Sequence, residues 1–197
     1  RLRCSLPRLP HARAHTGTQL YTGNTASMAS AYCEGKISLG DVAKSWTIAF
    51  VGNVIGCGGL AYVGHYTGLL SGGTKAFAAA LGLAKCSGGT FGQMLVKGIF
   101  CNYLVCMAVY LASMARDMGG RYFGILIPVS TFVATGYEHS VANMMLLPAA
   151  MLAGAPLTLR DVIVKNMLPV TIGNGLAGAI LVAASFSFQF GKLGEGR

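Results

Sequence analysis

The chain of 197 residues is long enough for one ordinary domain, but 53% of it is apolar, only 11% is charged, and its mean hydropathy is +0.57. Soluble domains carry about 25% charged residues, so too little charge remains here to cover a water-facing surface. The net charge of +9 does not amount to a nucleic-acid surface, because Arg1, Arg3, Arg8 and Arg13 cluster at the start and no basic stripe with interleaved aromatics follows.

Taken in chain order, residues 1–19 are Arg/Pro-rich, free of acid and without spanning potential. They read as a disordered segment ahead of a membrane domain over 20–191, with 192–197 as a tail. A cleaved targeting peptide would share this character. Between Lys44 and Lys75 lie thirty residues without Asp, Glu, Lys or Arg, apolar from Trp46 to about Tyr66. Eighteen such residues separate Lys97 from Arg116, and twenty-six separate Lys165 from Lys192. Each interval can cross a ~30 Å hydrocarbon layer, which takes about 20 helical residues. Backbone groups in lipid must be satisfied within the segment, so these are predicted helices.

The interval Tyr122–Leu159 differs. Its 38 residues hold Glu138 and His139 near the middle. As one helix it would run about 57 Å, and as two crossings it leaves no room for a turn. Gly136, Pro148, Gly154 and Pro156 punctuate it. The reading is one crossing made of two half-helices, broken near Gly136–Ser140. Irregular backbone at membrane depth is tolerated where it lines a cavity or is buried in protein, and a charged residue there marks a functional site. Loop charges do not orient the chain: Lys36, Lys44, Arg116, Arg121, Lys192 and Arg197 on one side face Lys75, Lys85, Lys97, Arg160 and Lys165 on the other.

Two stretches repeat. Gly52-Asn53-Val54-Ile55-Gly56 and Gly173-Asn174-Gly175-Leu176-Ala177-Gly178 each sit in a spanning helix. Each follows a polar break, Tyr21–Met28 in one case and Tyr137–Met144 in the other. Asn24 to Asn53 is 29 residues and Asn143 to Asn174 is 31. A transporter-type duplication is predicted, each half carrying a broken helix and then a Gly-Asn helix. The second half has a full helix (98–115) ahead of its break, and nothing ahead of Leu20 matches it. A fragment or misread gene start is therefore expected, with a natural five-span protein as the alternative.

Several motifs occur in one order: Leu20-Tyr21-Thr22-Gly23-Asn24-Thr25, Lys44-Ser45-Trp46 with Gly52-Asn53, Cys101-Asn102-Tyr103 through Val109, Gly136-Tyr137-Glu138-His139-Ser140 through Met144, and Asn166-Met167-Leu168-Pro169 through Asn174. Over about Leu20 to Phe190 the chain resembles the formate/nitrite transporter family. The resemblance implies an all-α polytopic fold in an aquaporin-like arrangement of six helices, the second and fifth interrupted. It also implies a homopentamer with one pore per protomer. Relative to that pattern the first helix and the first half of the second are missing. Ser45 stands where Asn is common, and Tyr103 where Trp is common.

The expected activity is transport of nitrite, formate or a similar weak-acid anion, with protons taking part, in a plasma membrane or plastid envelope. Moving a bare anion into low dielectric costs on the order of 20 kcal/mol by an idealised Born estimate, whereas its protonated form is neutral. By the resemblance, Lys85 is a vestibule lysine that concentrates the anion; read from the residue alone, it is a solvated loop lysine. Lys75 and Lys97 have no such match. His139 is expected as the central pore residue, either relaying a proton or orienting the acid as a neutral donor. A core histidine satisfied by Glu138 or a carbonyl is the alternative. Glu138 reads as structural, bonding backbone N–H groups freed at the break or fixing the His139 tautomer.

Thr22, Gly23 and Asn24 read as the other interruption. Thr22 and Asn24 would offer polar groups to the substrate, and Gly23 would take a conformation forbidden to other residues. Leu20 is expected to form an apolar collar. Asn53, Asn102, Asn143 and Asn174 suit helix-to-helix hydrogen bonds, with substrate contact as the alternative, and Gly52/Gly56 suit close helix approach. No cofactor, metal site or enzymatic reading is implied. Gly173–Gly178 spells G-x-G-x-x-G inside an apolar span without the strand a dinucleotide site needs, and six cysteines show no zinc spacing. The rival readings are a neutral-solute channel of the aquaporin or ammonium type and a non-transporting fragment or structural subunit.

Overall fold

The computed structural model describes residues 19–195; the Arg/Pro-rich segment read over 1–19 lies almost wholly outside them. Among the described residues seven helices follow one another, α1 Tyr21–Cys33, α2 Leu39–Tyr66, α3 Gly72–Ser87, α4 Phe91–Met114, α5 Met118–Ala134, α6 Ser140–Leu152 and α7 Leu159–Phe190, before a single 3-10 turn at Lys192–Gly194. α2, α4 and α7 are long and apolar enough to cross a membrane. They are the three spans expected from the charge-free intervals, extended at their N-terminal ends. Local chemistry sets those starts. Ser38/Asp41, Thr90/Gln93 and Thr158/Asp161 form capping boxes that satisfy the first free N–H groups of α2, α4 and α7. Lys44, Lys75, Lys85, Lys97, Arg121, Arg160 and Lys165 lie inside helices rather than in the loops where charge counting put them.

The interrupted crossing is α5–break–α6. Its 17 and 13 helical residues measure about 26 and 20 Å, neither enough to span comfortably alone. α5 stops where Gly136 takes φ 70°, with Gly136 N donating to Val133 C=O and Tyr137 N to Phe132 C=O. This left-handed closure suits a glycine. The helix resumes at Ser140. α1, like α6, has 13 residues, and both end in the same left-handed glycine closure, at Gly35 and Gly154.

The short helices α1 and α6 lie against two of the long ones, α2 and α7. Tyr21 and Ala49 pack with Val141 and Met144, backed by Trp46, Phe50 and Met167. Tyr21 meets Trp46 and Phe50 edge to face, at 6.3 and 5.4 Å between ring centroids. A second cluster of Cys86, Leu147 and Val162 fixes the end of α3 between α6 and α7. α4 lies close along α7: a Cβ on Gly98 would meet Val170 C=O, and one on Gly173 would strike Leu95 C=O. Gly178 is held as tightly by Thr25 of α1. Gly52 and Gly56, expected to mediate close approach, have nothing within 4 Å of an added Cβ among the described residues. α7 carries two wide turns, Val162–Met167 and Ala177–Ala184, of a kind that recurs at functional sites.

Candidate functional site

The break between α5 and α6 and the start of α1 come together at the centre of the fold. His139 caps α6 with its own side chain, Nδ1 accepting from Ala142 N at 3.0 Å. That bond commits the Nδ1 lone pair, so the neutral ring carries its proton on Nε2. Nε2 lies 3.2 Å from Thr22 Oγ1 in the first turn of α1, where it donates to the hydroxyl and leaves the hydroxyl's own proton for another acceptor. The imidazole also stacks on Phe132 of α5, 5.7 Å between centroids and 12° between planes. His139 is 9% exposed and Thr22 is fully buried.

Behind His139 lies a charged network. Glu138 Oε2 accepts from Lys85 Nζ at 2.9 Å, Asn143 Nδ2 at 2.7 Å and Asn166 Nδ2 at 3.3 Å. The Lys85 and Glu138 side chains are only 16% and 5% exposed. Asn143 Nδ2 also donates to Asn166 Oδ1 at 2.7 Å, and Asn166 Nδ2 to Lys85 C=O at 3.0 Å. A carboxylate at this depth requires a compensating charge and several donors, and α3 supplies the charge.

Four asparagine side chains tie elements together. Asn102 Nδ2 in α4 reaches Thr25 Oγ1 at 3.0 Å, Thr22 C=O at 3.3 Å and Asn174 C=O at 2.5 Å. Asn174 Oδ1 accepts from Ser140 N at 2.9 Å while its Nδ2 donates to Gly98 C=O at 2.8 Å. Asn53 Oδ1 accepts from Tyr21 N at 2.8 Å. Asn143 belongs to the charged network above.

Several expectations are corrected by this geometry. Thr22, Gly23 and Asn24, expected as an interruption, belong to helix α1, which opens at Tyr21 behind the extended Leu20. Gly23 therefore takes helical backbone, and a Cβ there would make only an ordinary 3.8 Å contact with Val109. The Asn24 amide turns toward α2, Nδ2 donating to Ser45 Oγ at 2.8 Å. Glu138 binds side chains, whereas the N–H groups freed at the break go to Asn174 and to His139 itself. Lys85 is bound to Glu138 rather than solvated. Leu20 sits at the start of α1 and is 45% exposed.

Phe132, Tyr137 and Asn166 were not among the predicted site residues. Asn166 could have been found from the repeat, as the counterpart of Ser45. Phe132, and Tyr137 stacked on Phe100 at 5.8 Å, carry no signal beyond being aromatic in an apolar run.

A family model described as formate/nitrite transporter matches residues 14–188. The chain is 38% identical over 185 residues to an uncharacterized transporter, YrhG, of Bacillus subtilis (strain 168), covering 92% of this chain and 68% of that protein. It is 34% identical over 191 residues to a probable formate transporter of Methanothermobacter thermautotrophicus, covering 89% and 69%. A solved structure described as a pentameric formate channel with formate bound superposes with a TM-score of 0.78 at 29% identity, over 92% of this chain and 78% of the other.

Proposed function

The chain belongs to the formate/nitrite transporter family, and from that premise we propose that it passes small monovalent anions of weak acids, formate or nitrite, through the Thr22–His139 junction. The observation that carries this reading is the meeting of two helix N-termini there, each opening on a residue with extended backbone. A helix N-terminus is equivalent to roughly half a positive charge. With the Lys85 charge offset by Glu138, the junction attracts an anion without presenting a bare cation that would trap it.

An anion that reaches the junction replaces the Thr22–His139 bond with two of its own, from the hydroxyl proton and from Nε2–H. A weak acid lowers its desolvation cost by taking up a proton, so protons accompany the flux. The apolar side chains of Leu20 and Phe132 suit a neutral acid better than a hydrated ion. By the same likeness, the protein assembles in the bilayer as a pentamer with one path per protomer. The family match favours this reading over a neutral-solute channel or a structural subunit.

Reconstituted in liposomes, the protein is expected to admit formate and nitrite at rates that rise as external pH falls. His139→Ala is expected to reduce that influx at least tenfold. Passage of uncharged solutes such as glycerol, with no formate or nitrite influx, would overturn the reading.

A further inference from the structure

Each half of the molecule carries one asparagine that brackets a single residue. In the first half, Asn53 Oδ1 accepts from Tyr21 N at 2.8 Å while Asn53 Nδ2 donates to Gln19 C=O at 3.2 Å. In the second half, Asn174 Oδ1 accepts from Ser140 N at 2.9 Å while Asn174 Nδ2 donates to Glu138 C=O at 3.2 Å. The residue between the two anchor points is Leu20 in one case and His139 in the other. Both precede their helices with similar extended backbone, φ −86° and ψ 126° for Leu20, φ −106° and ψ 115° for His139.

A lone hydrogen bond between helices needs one donor and one acceptor. The bracket uses both ends of a planar amide, one on the carbonyl before the central residue and one on the N–H after it. Fixing both peptide planes fixes the direction of the side chain between them. Asparagine is the shortest side chain that carries a donor and an acceptor on one rigid plane. Leu20 has no polar atom to cap α1, so Asn53 also satisfies an N–H that would otherwise stay unpaired inside a membrane. In the second half the bracket is itself anchored to α4, through Asn174 Nδ2 to Gly98 C=O and Asn102 Nδ2 to Asn174 C=O.

We propose that Asn53 and Asn174 are matched positioning residues for conduction. Asn53 aims Leu20 and so sets the apolar width of the path, and Asn174 aims His139 and so sets the polar contact with the anion. The proposal rests on the anion-transport reading above. It assigns separate properties to the two halves: size selection follows the first bracket, and proton dependence follows the second.

The test uses the full chain in liposomes, with influx of formate and of the larger lactate measured across pH, for Asn53→Ala and Asn174→Ala. Asn53→Ala is expected to change the lactate-to-formate ratio at least threefold without moving the pH profile of formate influx. Asn174→Ala is expected to shift that profile and leave the ratio within twofold. Asn53→Gln and Asn174→Gln, which stay neutral and keep donor and acceptor but lengthen the side chain, are expected to change the same property as the matching alanine variant by a smaller factor. They carry the comparison if an alanine variant does not fold. Hydrogen–deuterium exchange on the same proteins is read independently of transport. Asn53→Ala is expected to speed exchange at Tyr21 N–H at least tenfold and spare Ser140 N–H, and Asn174→Ala to do the reverse. A wild type that carries no anion overturns the transport reading, and the exchange data then decide the brackets alone. Unchanged exchange, or both variants altering ratio and pH profile alike, would overturn the assignment.

Discussion

Gln19, Leu20, Asn24, Ser45 and Asn53 in the first half stand where Glu138, His139, Asn143, Asn166 and Asn174 stand in the second. The bonds correspond: Asn24 Nδ2 donates to Ser45 Oγ at 2.8 Å as Asn143 Nδ2 donates to Asn166 Oδ1 at 2.7 Å. Asn53 and Asn174 hold their brackets through equivalent backbone partners, Gln19 C=O and Tyr21 N in one half and Glu138 C=O and Ser140 N in the other. What differs is charge. Where the first half has a neutral Gln19 and an apolar Leu20, the second has a buried carboxylate and an imidazole, and α3 brings Lys85 to balance the carboxylate. A repeated backbone scaffold can thus hold one half for shape and the other for chemistry. The cost of buried charge then falls on the second half alone.

The largest expected effect breaks that balance. Lys85→Met leaves Glu138 buried and uncompensated, a change worth about 3–5 kcal/mol, visible as a large fall in melting temperature in detergent. Lys85→Met combined with Glu138→Gln is expected to recover most of the loss, because the pair is then neutral like its first-half counterpart. No recovery would show that Lys85 stabilises the fold by something other than pairing.

Next comes packing. Gly173→Ala drives a Cβ into the Leu95 carbonyl of α4, an overpacking cost of about 1–3 kcal/mol. The same change at Gly52, where nothing among the described residues lies within 4 Å, is expected to stay within about 1 kcal/mol of neutral, the scale of helix propensity. Thermal melts of the two variants side by side check the contrast, and equal losses would contradict it. A loss smaller than that at Gly173 is expected at Ser45. Ser45→Ala removes one hydrogen bond from Asn24, worth about 0.5–1.5 kcal/mol, whereas Ser45→Asn should be tolerated because it recreates the Asn143–Asn166 pair. A stability loss for Ser45→Asn larger than for Ser45→Ala would mean that the halves do not correspond there.

Much of the scaffold was legible because membrane burial leaves a strong trace in the sequence. Absence of charge located α2, α4 and α7, and length arithmetic with Gly136 located the break. The limits follow from the same physics. Charge counting cannot see Lys97 or Arg160 as helical, since a capping box can start a helix through charged residues. α3 went unassigned because its Gly/Ala-rich sequence has little periodicity and its ends carry lysines. The partner of Glu138 was not legible either. Lys85 lies 53 residues away, and nothing local distinguishes it from Lys75 or Lys97. A glycine beside polar residues suggests a bend, but α1 runs unbroken through Gly23, and the extended residue is Leu20, whose neighbours are held by the distant Asn53.

In the transport reading proposed above, a permeating anion sits between the N-termini of α1 and α6. A density map of the membrane-embedded protein soaked in formate tests it most directly. An interrupted backbone over 135–139 is expected, with a small anion within hydrogen-bonding distance of both Thr22 Oγ1 and His139 Nε2. Continuous helix through Gly136, or formate bound only at sites remote from both residues, would contradict it.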